Sequence, residues 1–308
     1  MYSIIEVLPN SILNDEQLGT KDKFWFEHNS QRWLFKESRV IQTPSLEFQG
    51  FTGEDWAEKV AAEIAYILKI PAADVELANY NGRRGSASLN FIPADGYQLE
   101  HGNEILAGRV LGYDDTKKQR QSDHTLQNII IAIQAVFQDR HASQAALEQL
   151  ASYLVLDALI GNADRHHENW GVFWRASIRT NDGSQPIEYE VAPTFDHASS
   201  LGRELLDHKK GEILRGCRIE RYVRKCRGGI YENSSDKKGL SPIELVEKAA
   251  LRYPTYFQGI LNRLRHTRLS ELSATLNDVP DALISPVSRE FATIMLGFTY
   301  GTLVGIQS

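Results

Sequence analysis

Sulfur is scarce in this chain: of 308 residues, two are cysteine, Cys217 and Cys226, and two are methionine. So few cysteines exclude a disulfide framework, and their spacing fits no zinc pattern, so free thiols in a reducing compartment are expected. An excess of positive charge is also lacking. The formal net charge is -6 and the pI ≈ 5.9, which excludes a general nucleic-acid binder and makes any basic site local. Residues 1–8 have neither the basic start nor the long apolar core of a signal peptide. The longest apolar runs, near 128–137 and 291–306, are too short or too interrupted by polar residues and glycine to span a bilayer. These absences predict a cytoplasmic protein with no membrane partner. There is no evident internal repeat, low-complexity tract or helix-turn-helix signal. What remains, 42% hydrophobic and 24% charged residues, is ordinary for a globular protein, long enough for one large domain or two lobes.

The stretch with the sharpest change of character is 151–171. Tyr153, Leu154, Leu156, Asp157 and Ile160 fall at helical spacing in an apolar run, which predicts a largely buried helix, and Gly161 ends it. Asn162, Asp164, Arg165, His166, His167, Glu168 and Asn169 follow at once. A loop leaving a rigid buried helix can hold polar groups in fixed positions. Asp164 and Asn169 have four residues between them, the spacing of a base aspartate and a metal-ligand asparagine in a phosphotransfer loop. Asp196 follows a short apolar strand in Ala192-Pro193-Thr194-Phe195-Asp196-His197, the place for a second metal ligand. Phosphoryl transfer needs such a trio: Mg²⁺ takes hard oxygen ligands, which Asn169 and Asp196 supply, and Asp164 receives the attacking hydroxyl's proton. Read alone, the same residues are turn formers and caps. His166 and His167 also invite a zinc reading, but the carboxylates suit Mg²⁺ better, and one histidine is expected to pack or to orient Asp164.

The segments 161–169 and 192–202 together resemble the HipA-like family of serine/threonine kinases, the toxin kinases of bacterial toxin–antitoxin systems, and the chain's length is similar to the short HipT type. The resemblance implies an α+β, bilobal protein-kinase-like fold, with a small β-rich N-lobe over 1–95 and a mostly helical C-lobe over 96–308. It implies ATP and Mg²⁺ as cofactors, phosphorylation of a protein hydroxyl, and an antitoxin partner. Family analogy extends the substrate to a translation factor or aminoacyl-tRNA synthetase. It also implies autophosphorylation of an N-lobe serine, with Ser38, Ser45, Ser86 and Ser88 all in suitable positions. A lipid or small-molecule kinase would use the same machinery, and a nucleotide-binding pseudokinase is the alternative from a different class.

The remaining chain is read in order. Residues 3–8 predict a short strand, and 24–26 and 31–36 a hairpin. Gly19, Thr20, Lys21 and Lys23 make a glycine turn with two lysines, suited to cradling phosphate or to being a surface turn; in the family a similar stretch lies over the nucleotide. Lys36 ends an alternating strand, as would a phosphate-holding lysine or a solvated edge residue. The next helix carries an apolar face of Trp56, Val60, Ile64, Ile67 and Leu68, with Glu54 and Asp55 in its first turn. Glu63, beside that face, is chosen over Glu58 as the partner of Lys36. Residues 74–80 and 86–92 predict paired strands; 93–96 a hinge; 96–121 loop-rich linkage. Asn181-Asp182-Gly183 predicts a hairpin turn before the strand leading to Asp196. Residues 208–227 gather basic side chains, a solvated helix face or a site for something anionic. Residues 229–239 are expected to be a flexible break, and 242–266 and 286–303 helices.

Overall fold

The computed structural model of the protein describes residues 1–15, 23–42, 48–117, 120–177 and 186–307. Strands β1 (Ile4–Glu6), β2 (Ile12–Asp15), β3 (Lys23–His28), β4 (Gln31–Glu37), β5 (Val40–Gln42) and β6 (Phe48–Phe51) precede helix α1 (Glu54–Ile67). Then come β7 (Val75–Tyr80), β8 (Arg83–Leu89), β9 (Gln98–His101), α2 (Gly102–Arg109), α3 (Leu126–Val136), α4 (Arg140–Ile160), β10 (Gly171–Ala176) and β11 (Ile187–Val191). The remainder is helical: α5 (Asp207–Arg215), α6 (Ile219–Lys225), α7 (Pro242–Arg252), α8 (Pro254–His266), α9 (Leu269–Asn277) and α10 (Pro286–Val304).

The β-rich lobe is a six-stranded sheet in the order β1-β7-β8-β4-β3-β2, with β1 parallel to β7. Alternation decides its faces. Phe24, Phe26, Trp33, Phe35 and Ala87 point to one side and form a small aromatic core, in which Phe24 stacks on Phe35 at 4.9 Å. The intervening residues point the other way. Lys36 lies directly across from Lys23 on one neighbour and Ser86 on the other, so the two lysines project from the same face. The β7–β8 turn is tight because Asn81 and Gly82 both take positive φ, 51° and 78°, as a two-residue hairpin demands.

Helix α1 buries Trp56, Ala57, Val60, Ala61, Ile64 and Ala65 in the main core. Its acidic first turn is held by ion pairs as well as by the helix dipole. Asp55 accepts two hydrogen bonds from Arg84 (2.7 and 2.8 Å), while Glu54 binds Arg39 and Arg203.

The helical lobe is built on α4, whose last turns are buried all round because α3, α7, α8 and α10 pack against it. Two expectations need correction. Residues 96–121 carry β9 and α2, since β9 pairs with β10 and closes the three-stranded sheet β11-β10-β9. The segment 242–266 is two helices, because Pro254 starts a new one after Tyr253. Both cysteines are free thiols, and among the described residues no helix is long and apolar enough to cross a membrane.

Candidate active site

Gly161 ends α4 in the left-handed conformation, φ 67°, which glycine adopts without steric cost. The chain then folds back on the helix it has left. Asn162 donates to Asp157 (2.8 Å) and accepts from the Asp164 amide (3.1 Å). The Asn169 side chain donates to the Asp164 carbonyl (2.8 Å), closing the 164–169 loop on itself. Asp164 is left exposed and Asn169 buried.

Arg165 ties this loop to the segment carrying Asp196. Its guanidinium, 4% exposed, makes a two-point ion pair with Asp157 (2.7 and 2.8 Å). It also donates to the Thr194 hydroxyl (2.9 Å), the Phe195 carbonyl (3.4 Å) and the Asn169 carbonyl. Thr194 in turn meets the His197 ring (2.9 Å), and the His197 amide donates to Glu58 of α1 (2.9 Å). One guanidinium thus fixes the backbones of Asn169 and Phe195 together, and Glu58 extends the same network into the β-rich lobe. Asp196, at φ 61°, is a non-glycine residue in the left-handed region, a cost that surrounding contacts must sustain.

Lys36 reaches Asp196 at 3.3 Å. Burial works against its charge, but Asp196, Glu58 and Glu54 outweigh it and raise the pKa above the ordinary lysine value, so the group is an ammonium at neutral pH. Glu63 stands elsewhere, correcting its assignment to Lys36. It pairs with Lys59 (2.7 Å), which also binds Glu76 (3.1 Å). The α1 carboxylates whose charge acts on Lys36 are Glu58 and, more weakly, Glu54. A position beside the apolar stripe does not reveal which way the helix turns toward the cleft, and Glu63 faces β7. Lys23 is next to Lys36 in register; Gly19, Thr20 and Lys21, with Ser45 and the 181–183 turn, lie outside the described residues.

The donor set fits Mg²⁺ and ATP. Asn169 and Asp196 offer one amide oxygen and one carboxylate, hard ligands that leave room for phosphate oxygens and water. Lys36 places a cation beside Asp196.

Sequence reasoning missed Asp157, Arg165, Thr194 and His197. Asp157 carried a readable signal: it is the one charged residue between Leu150 and Ile160, and a carboxylate inside an apolar run requires a buried cation.

The two loop histidines serve the packing. His166 accepts from the Glu168 amide (3.2 Å), while buried His167 meets the Tyr113 hydroxyl (2.8 Å). Behind them His124 accepts at Nε2 from the Trp170 indole (3.1 Å), so its proton sits on Nδ1 and donates to the Gly229 carbonyl (2.8 Å). The glycine-rich segment expected to be a flexible break is therefore part of the support. A Cβ on Gly229 would stand 2.7 Å from the Arg165 carbonyl, and only a glycine fits so close an approach.

Burial holds His124 neutral, its pKa down to about 3, and lowers His167 and His197 as well. An unfolded histidine protonates near 6.5. Between that pH and the folded values the unfolded chain binds more protons, so stability rises with pH and is lost on acidification. Each such histidine contributes a slope of about 1.4 kcal/mol per pH unit in that window. Urea unfolding midpoints are expected to fall from pH 7 to pH 5, with a smaller fall in His124→Asn; a flat profile would contradict the burial of neutral imidazoles.

The model of the HipA-like C-terminal domain matches residues 17–212. Among solved structures the chain is similar to the Helicobacter pylori proinflammatory kinase CtkA, with 19% identity, TM-score 0.71, and coverage of 99% of this chain and 96% of that one. It is also similar to HipA of Shewanella oneidensis MR-1, solved with HipB and operator DNA, with 12% identity, TM-score 0.52, and coverage of 95% of this chain and 62% of that one. At these identities the likeness shows a shared kinase-like fold. No curated protein sequence matches the chain.

Proposed function

Because the chain belongs to the HipA-like C-terminal domain family, we propose that it is an ATP- and Mg²⁺-dependent serine/threonine protein kinase. Residues 1–95 serve as its nucleotide lobe and 96–308 as its catalytic lobe. The observation that carries this reading is the convergence of Asp164, Asn169, Asp196 and Lys36, with Arg165 bonded to the backbones of Asn169 and Phe195 and Lys36 bonded to Asp196.

Asp164 is the exposed carboxylate of the loop and takes the proton of the acceptor hydroxyl. Asn169 and Asp196 would hold Mg²⁺, which when bound offsets the negative charge of the phosphates. Lys36 would hold phosphate oxygens of a bound nucleotide, with Glu58 supplying the opposing charge, the role first given to Glu63. Lys23 adds a second ammonium on the same face.

We assign the protein to the toxin side of a toxin–antitoxin pair, with an antitoxin as its partner. Family membership supports this, as does the complex of Shewanella HipA with HipB. The test is transfer from γ-labelled ATP to dephosphorylated casein and to the chain itself, followed by phosphoamino acid analysis. Label on serine or threonine that requires Mg²⁺ is expected. Absence of label from every protein, with label entering phosphoinositides or a small-molecule hydroxyl, would replace the protein-kinase reading by one of the other two.

A further inference from the structure

The segment from α6 to the start of α7 carries an excess of positive charge in an acidic protein. Residues 218–239 hold seven Lys and Arg against three Asp and Glu, in a chain of net charge -6. Resting on the kinase reading above, we propose that this segment is the docking face for the protein substrate. It selects acceptor stretches with acidic residues close to the serine or threonine that takes the phosphate.

The segment borders the candidate site. A Cβ on Gly228 would stand 3.9 Å from the Ala163 carbonyl, one residue before Asp164, and a Cβ on Gly229 would stand 2.7 Å from the Arg165 carbonyl. The chain then returns over the same place. The Gly228 amide donates to the Leu240 carbonyl (2.8 Å) and the Leu240 amide to the Ile230 carbonyl (2.9 Å), while Gly239 packs on the Gly228 carbonyl. Lys225, the last residue of α6, is therefore three residues from the contact with Ala163, and Lys238 immediately precedes the glycine packed on Gly228. An extended peptide advances about 3.3 Å per residue, so these ammonium groups stand within reach of side chains about two to five positions from a hydroxyl at Asp164.

The charges there are also available. Arg221, Lys225, Lys237 and Lys238 are exposed, and among the described residues none of them pairs with a carboxylate. The three acids of the segment are engaged: Glu220 with Arg224 (3.1 Å), Glu232 with Lys248, and Asp236 with the Asn233 amide (2.9 Å). Arg224 and Arg227 are offset in turn by Glu247 and Glu244 of α7, each at 3.0 Å. Four unpaired cations thus remain beside the catalytic loop. A protein suits them better than a nucleic acid does. The aromatic side chains of the segment are turned away from solvent, Tyr231 at 6% exposure and Tyr222 against Phe291 and Glu204, so no ring is offered for base stacking. The rest of the chain is more acidic than the whole and repels a long polyanion. Exposed charge pairs contribute little singly, but several act together on encounter and binding, so they lower KM and leave kcat alone.

The experiment uses the full chain with Mg²⁺ and ATP and compares three peptides that carry one central serine flanked by glutamate, glutamine or lysine. The glutamate peptide is expected to show a KM about tenfold below that of the glutamine peptide, at similar kcat, and the lysine peptide the highest KM. The gap should narrow as salt rises from about 0.01 M to about 0.15 M, where the screening length falls from about 30 Å to about 8 Å. The triple variant Lys225→Glu, Lys237→Glu, Lys238→Glu should invert the order, with its melting temperature and its kcat on the glutamine peptide unchanged. Equal KM values for the glutamate and glutamine peptides, or an order that the variant leaves in place, would overturn the docking face while the labelled peptides uphold the kinase reading. Label on casein with none on the glutamate peptide would likewise overturn the docking face alone. Absence of label from casein and all three peptides would overturn both. Polyuridylate bound by the wild type and not by the variant, without any peptide preference, would give the face to nucleic acid instead.

Discussion

Asp164→Asn is expected to lower the phosphotransfer turnover by about 10²–10⁴-fold, the range contributed by a positioned general base, while leaving the fold intact. The replacement removes an acceptor for the hydroxyl proton and leaves the backbone bonds that close the loop in place. Loop closure uses the Asp164 backbone, whose amide donates to Asn162 and whose carbonyl accepts from Asn169, and these bonds survive a side-chain change. The residue is exposed, so its effect on stability should stay within about 0.5 kcal/mol. ATP affinity should also be retained, because Lys36, Asn169 and Asp196 remain. Initial rates at saturating ATP, with the melting temperature as control, check this. A rate within a few-fold of wild type would remove Asp164 from the reaction.

Asp157→Ala should instead destabilise the protein by about 3–5 kcal/mol, the cost of leaving a buried charge without its partner. Asp157 is 2% exposed and Arg165 4%, and the ion pair has two contacts of 2.7 and 2.8 Å. Asn162 loses an acceptor as well. Since whole domains are stable by about 5–15 kcal/mol, the variant stands near the edge of folding, and urea unfolding at neutral pH is the measurement. The double substitution Asp157→Leu with Arg165→Met separates stability from alignment. Removing both charges should restore much of the stability, yet it also removes the bonds from Arg165 to Thr194, Phe195 and Asn169, so activity should stay low. A stable and active double variant would show that Arg165 does not align Asn169 and Asp196 for the proposed reaction. A loss below about 1 kcal/mol in Asp157→Ala would contradict the buried pair itself.

Much of the fold is legible wherever a short-range pattern carries it. The alternation in 24–36 dictates β3 and β4, and the apolar run before Gly161 dictates a buried helix ended by a left-handed glycine; the turn after Tyr80 is legible too, although β8 runs over Arg83–Leu89 where 86–92 was expected. The spacing of Asp164 and Asn169 can be read for the same reason, since the loop closes on itself through a bond between neighbours in sequence. Where a partner is far along the chain, the pattern is silent. Glu58 and Glu63 both flank the apolar face of α1, and the choice between them depends on His197 and Lys59, which approach from different sides. Residues 96–121 read as linkage because the strand there is completed by β10. The stretch after Gly228 reads as flexible because its partners, His124 and the 165–166 backbone, lie far off in sequence.

The sequence by itself determined the fold class, the family and the polar loop that follows α4, because these rest on local periodicity, a helix stop and fixed spacings. The tertiary structure alone decided which of those residues meet. Asp157, Arg165, Thr194, His197 and Glu58 form one buried chain of contacts across both lobes, and Ser199 comes to stand at Asp164. Buried charges and hydroxyls must be satisfied by whatever groups the packing brings within about 3 Å, and that proximity exists only once helices and sheet have closed around them.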